Sequence, residues 1–346
     1  MIKEPLLGKT FTELSDITKA LGLPAFAAKQ ICGWIYHRNA QTIDEMTNLS
    51  LTSRALLNEK YEVGNSTPVS FQESIDGTKK YLFETRKNQF IETVYIPEND
   101  RSTLCVSSQV GCKMNCLFCM TGKMGFNGNL TANEIMNQIH SVPENEDLTN
   151  LVFMGMGEPL DNPEELFKVL EILTKPWGYA WSPKRITVST IGAKKGLEQF
   201  LNESSCHLAL SLHSPFSEER LSIMPIEKGA PAKDIIDLLK KYDFSKQRRL
   251  SIEYIMFKGF NDTTRHAEEL CKILKGLDCR INLIRFHAIP NVSLETSDNK
   301  TMNAFKDYLT NHNITTTIRS SRGEDIFAAC GMLSSEKTAI NSENEA

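Results

Sequence analysis

The run VGCKMNCLFCMTG at residues 110–122 places Cys112, Cys116 and Cys119 within eight residues, spaced CxxxCxxC, with Phe118 directly before the third. Three thiolates this close in sequence suit a metal or an iron–sulfur cluster. A structural zinc or a fully thiolate-ligated cluster asks for a fourth ligand. A second short cysteine pair would supply it in a zinc knuckle, and there is none: Cys32, Cys105, Cys206, Cys271, Cys279 and Cys330 are all isolated. The set therefore leaves one metal position open, and open positions are where chemistry takes place.

The cysteine run continues a strand-like stretch, TLCVSSQV at 103–110, and similar apolar, β-branched stretches recur downstream. They are NLVFMGMG (150–157), RITVSTIG (185–192), HLALSLHS (207–214), LSIEYIMF (250–257) and INLIRFHA (281–288). Helical patterns alternate with them. In TANEIMNQIH, Thr131 and Glu134 form a capping box, and in NPEELFKVLEIL, Asn162 is the expected cap with Pro163 in the first turn. APAKDIIDLLKKY, TTRHAEELCKIL and TMNAFKDYLTNH repeat the amphipathic pattern. Six βα units predict an α/β fold with a parallel sheet, and the lack of a seventh and eighth favours a partial (βα)6 barrel. A further strand is expected at 314–321.

Residues 1–75 predict a small helical domain, with helices over 15–21, 25–36 and 50–61. Residues 67–97 predict two or three strands around the turn Asp76-Gly77. The expected organisation is an accessory domain with a short β extension at 1–97, a core barrel at 98–325, and a C-terminal segment at 326–346. The polar tail from Ser334 is expected to be disordered.

With 40% hydrophobic and 24% charged residues among 346, the composition is that of a soluble globular protein. No apolar run approaches the ~20 residues of a membrane span, and MIKEPLLGKTF lacks the apolar core of a signal peptide. These features predict a cytoplasmic protein without a membrane partner, whose reduced thiols suit metal ligation better than disulfides. A net charge of −4 argues against binding nucleic acid through a globally basic surface. In residues 1–97 eleven acidic and eleven basic side chains balance, so any nucleic-acid binding there would depend on shape as well as charge. Local basic groups remain as candidates for phosphate contacts: Lys79 with Lys80, Arg86 with Lys87, Lys184 with Arg185, Arg248 with Arg249, and Arg319 with Arg322.

Ligands of parallel α/β sheets bind at the carboxyl ends of strands, and the remaining candidates fall there. In GMGEP, Gly155 and Gly157 allow close backbone approach and Glu158 can accept from an ammonium group. Ser189 and Ser211 offer hydroxyls. His213, beyond Leu212, alternates onto the face of Ser211, a buried and satisfied histidine being the ordinary alternative. Asn291, in IPN, reads as a hydrogen-bonding contact to a ligand or as a turn residue. Glu92, in QFIETVYIP, shares a strand face with Phe90, Val94 and Ile96. A carboxylate in such company is a general base or half of a salt bridge. Cys105 and Cys330 by themselves read as small buried core residues.

The CxxxCxxC run resembles the radical S-adenosylmethionine (radical SAM) superfamily, and GMGEP is similar to the motif that holds the SAM amino group there. LCVSSQVGCKMNCLFCMTG, FMGMGEPLDN, ITVSTIG, LALSLHSP, INLIRF and IRSSRGEDIFAACGML, with AFAAKQICGWIYH near the N-terminus, resemble the RlmN/Cfr family of RNA adenine methyltransferases over nearly the whole chain. Pro159 after GMGE and the N-terminal helix look more like the RlmN branch. The resemblance implies a partial radical SAM barrel and a 4Fe-4S cluster on Cys112, Cys116 and Cys119 whose open iron chelates SAM. It implies SAM contacts from Gly157, Glu158, Ser189, Ser211, Leu212, His213 and Asn291. The implied substrates are an adenine of 23S rRNA and the adenine beside the anticodon of tRNA, each methylated at carbon 2. Two SAM molecules are used: one methylates Cys330, and the second yields a radical that takes a hydrogen from that methyl group. The methylene then adds to carbon 2, Glu92 removes the proton, and Cys105 attacks the Cys330 sulfur to release methyladenine. A cellular electron donor and a monomeric enzyme are expected. The competing readings are a Cfr-type carbon-8 methyltransferase, a radical SAM enzyme of another class, which would not need Cys105 and Cys330, and a zinc-bound RNA-binding module.

Overall fold

The computed structural model describes residues 3–334. One mixed sheet of ten strands organises it, lying side by side in chain order. These are β1 (Ser70–Glu73), β2 (Lys79–Glu84), β3 (Phe90–Glu98), β4 (Arg101–Cys105), β5 (Asn150–Phe153), β6 (Ile186–Thr190), β7 (His207–Ser211), β8 (Leu250–Met256), β9 (Arg280–Arg285) and β10 (Thr315–Ile318). Strands β4 to β10 are all parallel, and β1 to β3 form an antiparallel meander on the β4 edge. The six predicted βα strands and the further strand are thus present. Side chains from β3 through β10 line one cavity of about 600 Å³, so the sheet is curled into a partial barrel. The seam between β1 and β10 is bridged by the segment after β10: Gly323 N–H donates to Asp76 Oδ2 (3.0 Å), and Asp325 accepts from Ser74 Oγ (2.5 Å) and Ile75 N–H (3.2 Å).

The sheet runs across the boundary expected at residue 97. β3 pairs with β4 from Val94 opposite Cys105 to Glu98 opposite Arg101. The polar residues Asn99 and Asp100, read as a domain break, are the turn of a tight hairpin. The N-terminal helices Phe11–Ala20, Ala27–Cys32 (continued by the π-helical turn Gly33–His37) and Leu51–Lys60 likewise share the core: Leu14, Ile31, Ile35 and Leu57 belong to one apolar cluster with Ile135, Met136 and Ile139 of helix Ala132–His140. The first helix starts earlier than expected because Thr10 and Glu13 form a capping box. The box at Thr131 and Glu134 is present as predicted. Asn162 precedes its helix, but its side chain makes no cap: its amide donates to the Ser108 (3.1 Å) and Leu130 (2.8 Å) carbonyls, tying two mouth loops together. Of the tail expected to be disordered, everything after Ser334 lies outside the described residues.

Candidate active site

The three cysteines follow β4 on a loop at the carboxyl end of the barrel. Gly111, at φ +72°, starts the loop where any side chain would strike the Gly125 carbonyl, so the backbone can turn there only as glycine. Cys119 is the N-cap of the short helix Met120–Lys123. Cys116 and Phe118 are buried in a separate apolar cluster with Ile223, Met224, Ile255, Phe257, Phe286, Ala329 and Met332. Burial raises all three thiols, Cys112 to about 12. They stay protonated until a metal displaces the protons. Among the described residues no three His, Cys, Asp or Glu side chains converge closely enough to hold a single metal ion. Three thiols on one loop, Cys116 buried and Cys112 and Cys119 half-buried, fit the thiolate set of an iron–sulfur cluster.

The glycines of GMGEP admit the chain's own backbone. A Cβ on Gly155 would lie 2.7 Å from the Val106 carbonyl oxygen, and one on Gly157 (φ +96°) would lie 2.5 Å from Gln109 Cβ. They let the β5 loop lie flat on the β4 loop that carries the cysteines. The Glu158 carboxylate, read as an acceptor for an ammonium group, already accepts from the Leu160 (3.2 Å) and Ile191 (3.0 Å) amides, and burial raises its pKa to about 7. Each carboxylate oxygen has a second lone pair, so capacity for a ligand remains.

β7 ends at Ser211, and His213 has a left-handed backbone (φ +57°), so the strand alternation expected to align the two does not reach it. His213 is buried and neutral: burial lowers its pKa to about 3, its Nδ1 accepts from the Ile255 amide (3.0 Å), and the Phe118 ring meets it edge-on at 4.8 Å. It links the strand end to the cysteine loop. Asn291 is exposed in a left-handed turn conformation (φ +61°), and Ser189 and Ser211 are half-buried.

Of the candidates, Cys105, Cys119 and Cys330 reach the cavity wall; Glu92, Cys112, Cys116, Gly157, Glu158, Ser189, Ser211, Leu212, His213 and Asn291 stand outside it. Cys105 and Cys330 come from opposite ends of the core, and each is close enough to the other that a negative charge there raises the pKa of Cys105, which burial pushes to about 12. Both are free thiols. The Arg319 guanidinium, paired with Glu253 at 3.5 Å, faces both and favours their ionised forms. The Cys330 segment is pinned to the cysteine loop: Met120 N–H donates to the Gly331 carbonyl and Thr121 Oγ1 to that of Leu333, each at 2.8 Å.

Several positioning residues carried no signal in the sequence. Arg220, with no exposed surface, pairs with Glu227 and donates to the carbonyls of Leu212 (3.1 Å), Ile191 (2.9 Å) and Ser211 (3.4 Å), holding two mouth loops. Asn261 holds the His213 carbonyl (2.6 Å), and Gln138 satisfies both the amide and the carbonyl of Ser107. Among the basic groups expected at RNA, Lys79, Lys80, Arg86, Arg319 and Arg322 face carboxylates, while Arg185 and Arg248 donate to backbone carbonyls and stack on Trp181 and Phe200. Lys87, Lys184 and Arg249 make no ion pair among the described residues.

Residues 106–274 match the model of the Radical SAM superfamily, and residues 5–63 that of the Ribosomal RNA large subunit methyltransferase N-terminal domain. A probable dual-specificity RNA methyltransferase RlmN from Parabacteroides distasonis is 64% identical over 97% of this chain and 98% of its own length. The dual-specificity RNA methyltransferase RlmN of Syntrophus aciditrophicus is 40% identical over 93% of this chain and 94% of its own. The crystal structure of a radical SAM methyltransferase from Sphaerobacter thermophilus superposes with a TM-score of 0.90 at 38% identity, covering 96% of this chain and all of that one.

Proposed function

The chain belongs to the RlmN family of radical SAM RNA methyltransferases, and from that premise we propose that it methylates carbon 2 of an adenine in 23S rRNA and of the adenine beside the anticodon in tRNA. Its cofactors are a 4Fe-4S cluster and SAM, which when bound supply the methyl group and one-electron chemistry. Carbon 2 lies between two ring nitrogens and is electron-poor, so it cannot displace a methyl group as a nucleophile would. The observation that carries the reading is the placement of Cys105 and Cys330 on the wall of one cavity, with Cys119, near enough that a charge on Cys330 raises the pKa of Cys105.

In this reading Cys112, Cys116 and Cys119 hold the cluster, and Gly157, Glu158, Ser189, Ser211, Leu212, His213 and Asn291 surround SAM. Cys330 sulfur carries the methyl carbon and, once one hydrogen atom has been removed from it, joins it to carbon 2 as an adduct with one unpaired electron. Glu92 takes the carbon-2 proton, and the unpaired electron would return to the one-electron centre, leaving a closed-shell thioether between Cys330 and the adenine. Cys105 sulfur then attacks Cys330 sulfur: the S–S bond forms, the S–C bond breaks, and the carbon keeps the electron pair and is protonated to methyl. A reductant restores both thiols. Burial disfavours the attacking thiolate of Cys105, and Arg319 is the cation placed to offset that. Residues 1–97 contribute RNA contacts, 98–325 form the catalytic core, and the segment from 326 brings Cys330. The enzyme acts as a cytoplasmic monomer supplied by a cellular electron donor. No helix among the described residues is long and apolar enough to cross a membrane.

Glu158→Gln is expected to keep its iron and bind SAM more weakly. Only the ionised carboxylate attracts an ammonium, and the wild-type group ionises as pH rises through about 7, so SAM affinity should climb there and stay flat in the variant. Equilibrium SAM binding against pH checks this, and equal affinity in the two proteins would leave Glu158 as a brace alone. The function itself is tested by digesting 23S rRNA and tRNA to nucleosides after incubation with reconstituted enzyme. The expected product is 2-methyladenosine, and 8-methyladenosine would move the enzyme to the Cfr type.

A further inference from the structure

Val94 pairs with Cys105 across β3 and β4, so Glu92, two residues away on the same face, stands just beyond the thiol that ends β4. Glu92 is nevertheless only 3% exposed and does not line the cavity. Lys80, opposite Val94 on β2 and also buried, meets Oε1 at 3.0 Å. The Ser334 amide donates to Oε2 at 2.7 Å. The backbone of Glu92 is held as well: its carbonyl accepts from Ser107 Oγ (2.6 Å), and its amide faces the Met156 sulfur (3.4 Å). Among the described residues, Lys80 is the one charged group that faces this carboxylate.

Ser334 lies four residues after Cys330. The segment carrying the thiol is thus fastened at three points: Gly331 and Leu333 on the helix after Cys119, and Ser334 on Glu92. A buried carboxylate stays ionised only with a partner, and its hydrogen bonds are strongest while it is charged. We propose that Lys80 is the positioning residue for Glu92, and that the Lys80–Glu92 pair latches the Cys330 segment shut through the Ser334 amide, so that the carboxylate meets a substrate adenine only after that amide has let go. The proposal rests on the reading of Glu92 as the base. The proton that Glu92 then takes from carbon 2 neutralises the acceptor of the Ser334 amide, so the bond does not re-form while the carboxyl is protonated. The segment therefore stays released at the stage when Cys105 must reach the Cys330 sulfur.

The test uses full-length, anaerobically reconstituted Lys80→Met, Lys80→Arg and Glu92→Gln enzymes. Hydrogen exchange of the peptide spanning 326–334 is followed without RNA, and kcat/KM against pH with it. Losing the charge assistance should speed exchange of that peptide roughly tenfold in Lys80→Met and Glu92→Gln, with Lys80→Arg near wild type. Lys80→Met should also turn over more slowly, with its acid limb moved to higher pH, because the carboxyl loses the cation that opposes its burial. A pH profile and rescue by arginine separate this from a packing defect. Unchanged exchange in both Lys80→Met and Glu92→Gln overturns the latch, whatever turnover does. Faster exchange in Glu92→Gln with normal turnover upholds the latch and removes Glu92 as the base.

Discussion

Cys105→Ala enzyme purified from cells is expected to carry RNA covalently attached through Cys330. The variant keeps everything needed to join the methylene to carbon 2: the cluster cysteines, Cys330 and Glu92 are untouched. It lacks only the sulfur that displaces Cys330, so the adduct forms and is not resolved. Cys330→Ala blocks the sequence one stage earlier and should give neither methylated RNA nor adduct. If the two were merely buried core cysteines, both variants would lose at most a few kcal/mol of packing stability and behave alike. Denaturing gels with and without ribonuclease tell the cases apart. Cys105→Ala protein that runs free of RNA and still turns over would refute the resolving role.

The second large effect is expected at Cys116. Wild-type protein reconstituted without oxygen should bind about four irons per chain and be brown. Cys116→Ala should lose most of that iron and all SAM cleavage while remaining folded, since alanine replaces a small side chain inside an apolar pocket that Phe118, Phe257 and Phe286 continue to fill. Iron analysis and circular dichroism measure the two halves of that statement. Full iron with full SAM cleavage would remove Cys116 from the ligand set, and a colourless protein holding one zinc would remove the cluster.

The strands of the barrel were legible because buried parallel strands read as short apolar runs between turn signals, and this chain repeats that pattern at every βα unit. The cysteine loop announced itself by spacing. What escaped were partnerships between residues distant in sequence. Nothing near Glu92 tells that Lys80 and Ser334 will meet its two oxygens, and nothing in helix Ser217–Ile223 tells that Arg220 will be sealed under two loops. Alternation along a strand misplaced His213 because the strand had already ended. GMGEP was correctly placed at the mouth, but its glycines serve contacts between loops, which a single chain of letters does not distinguish from contacts with a ligand. The roles of Cys105 and Cys330 came from family resemblance alone, and the structure adds that the two thiols share one wall.

The passage of the methyl carbon through Cys330 is tested most directly by repeating the nucleoside digestion with SAM deuterated in its methyl group. If one hydrogen is removed while the carbon rides on sulfur, the product methyl keeps two of its three deuterons, and the third appears in 5′-deoxyadenosine. A product methyl group that retains all three would show direct transfer and contradict the account.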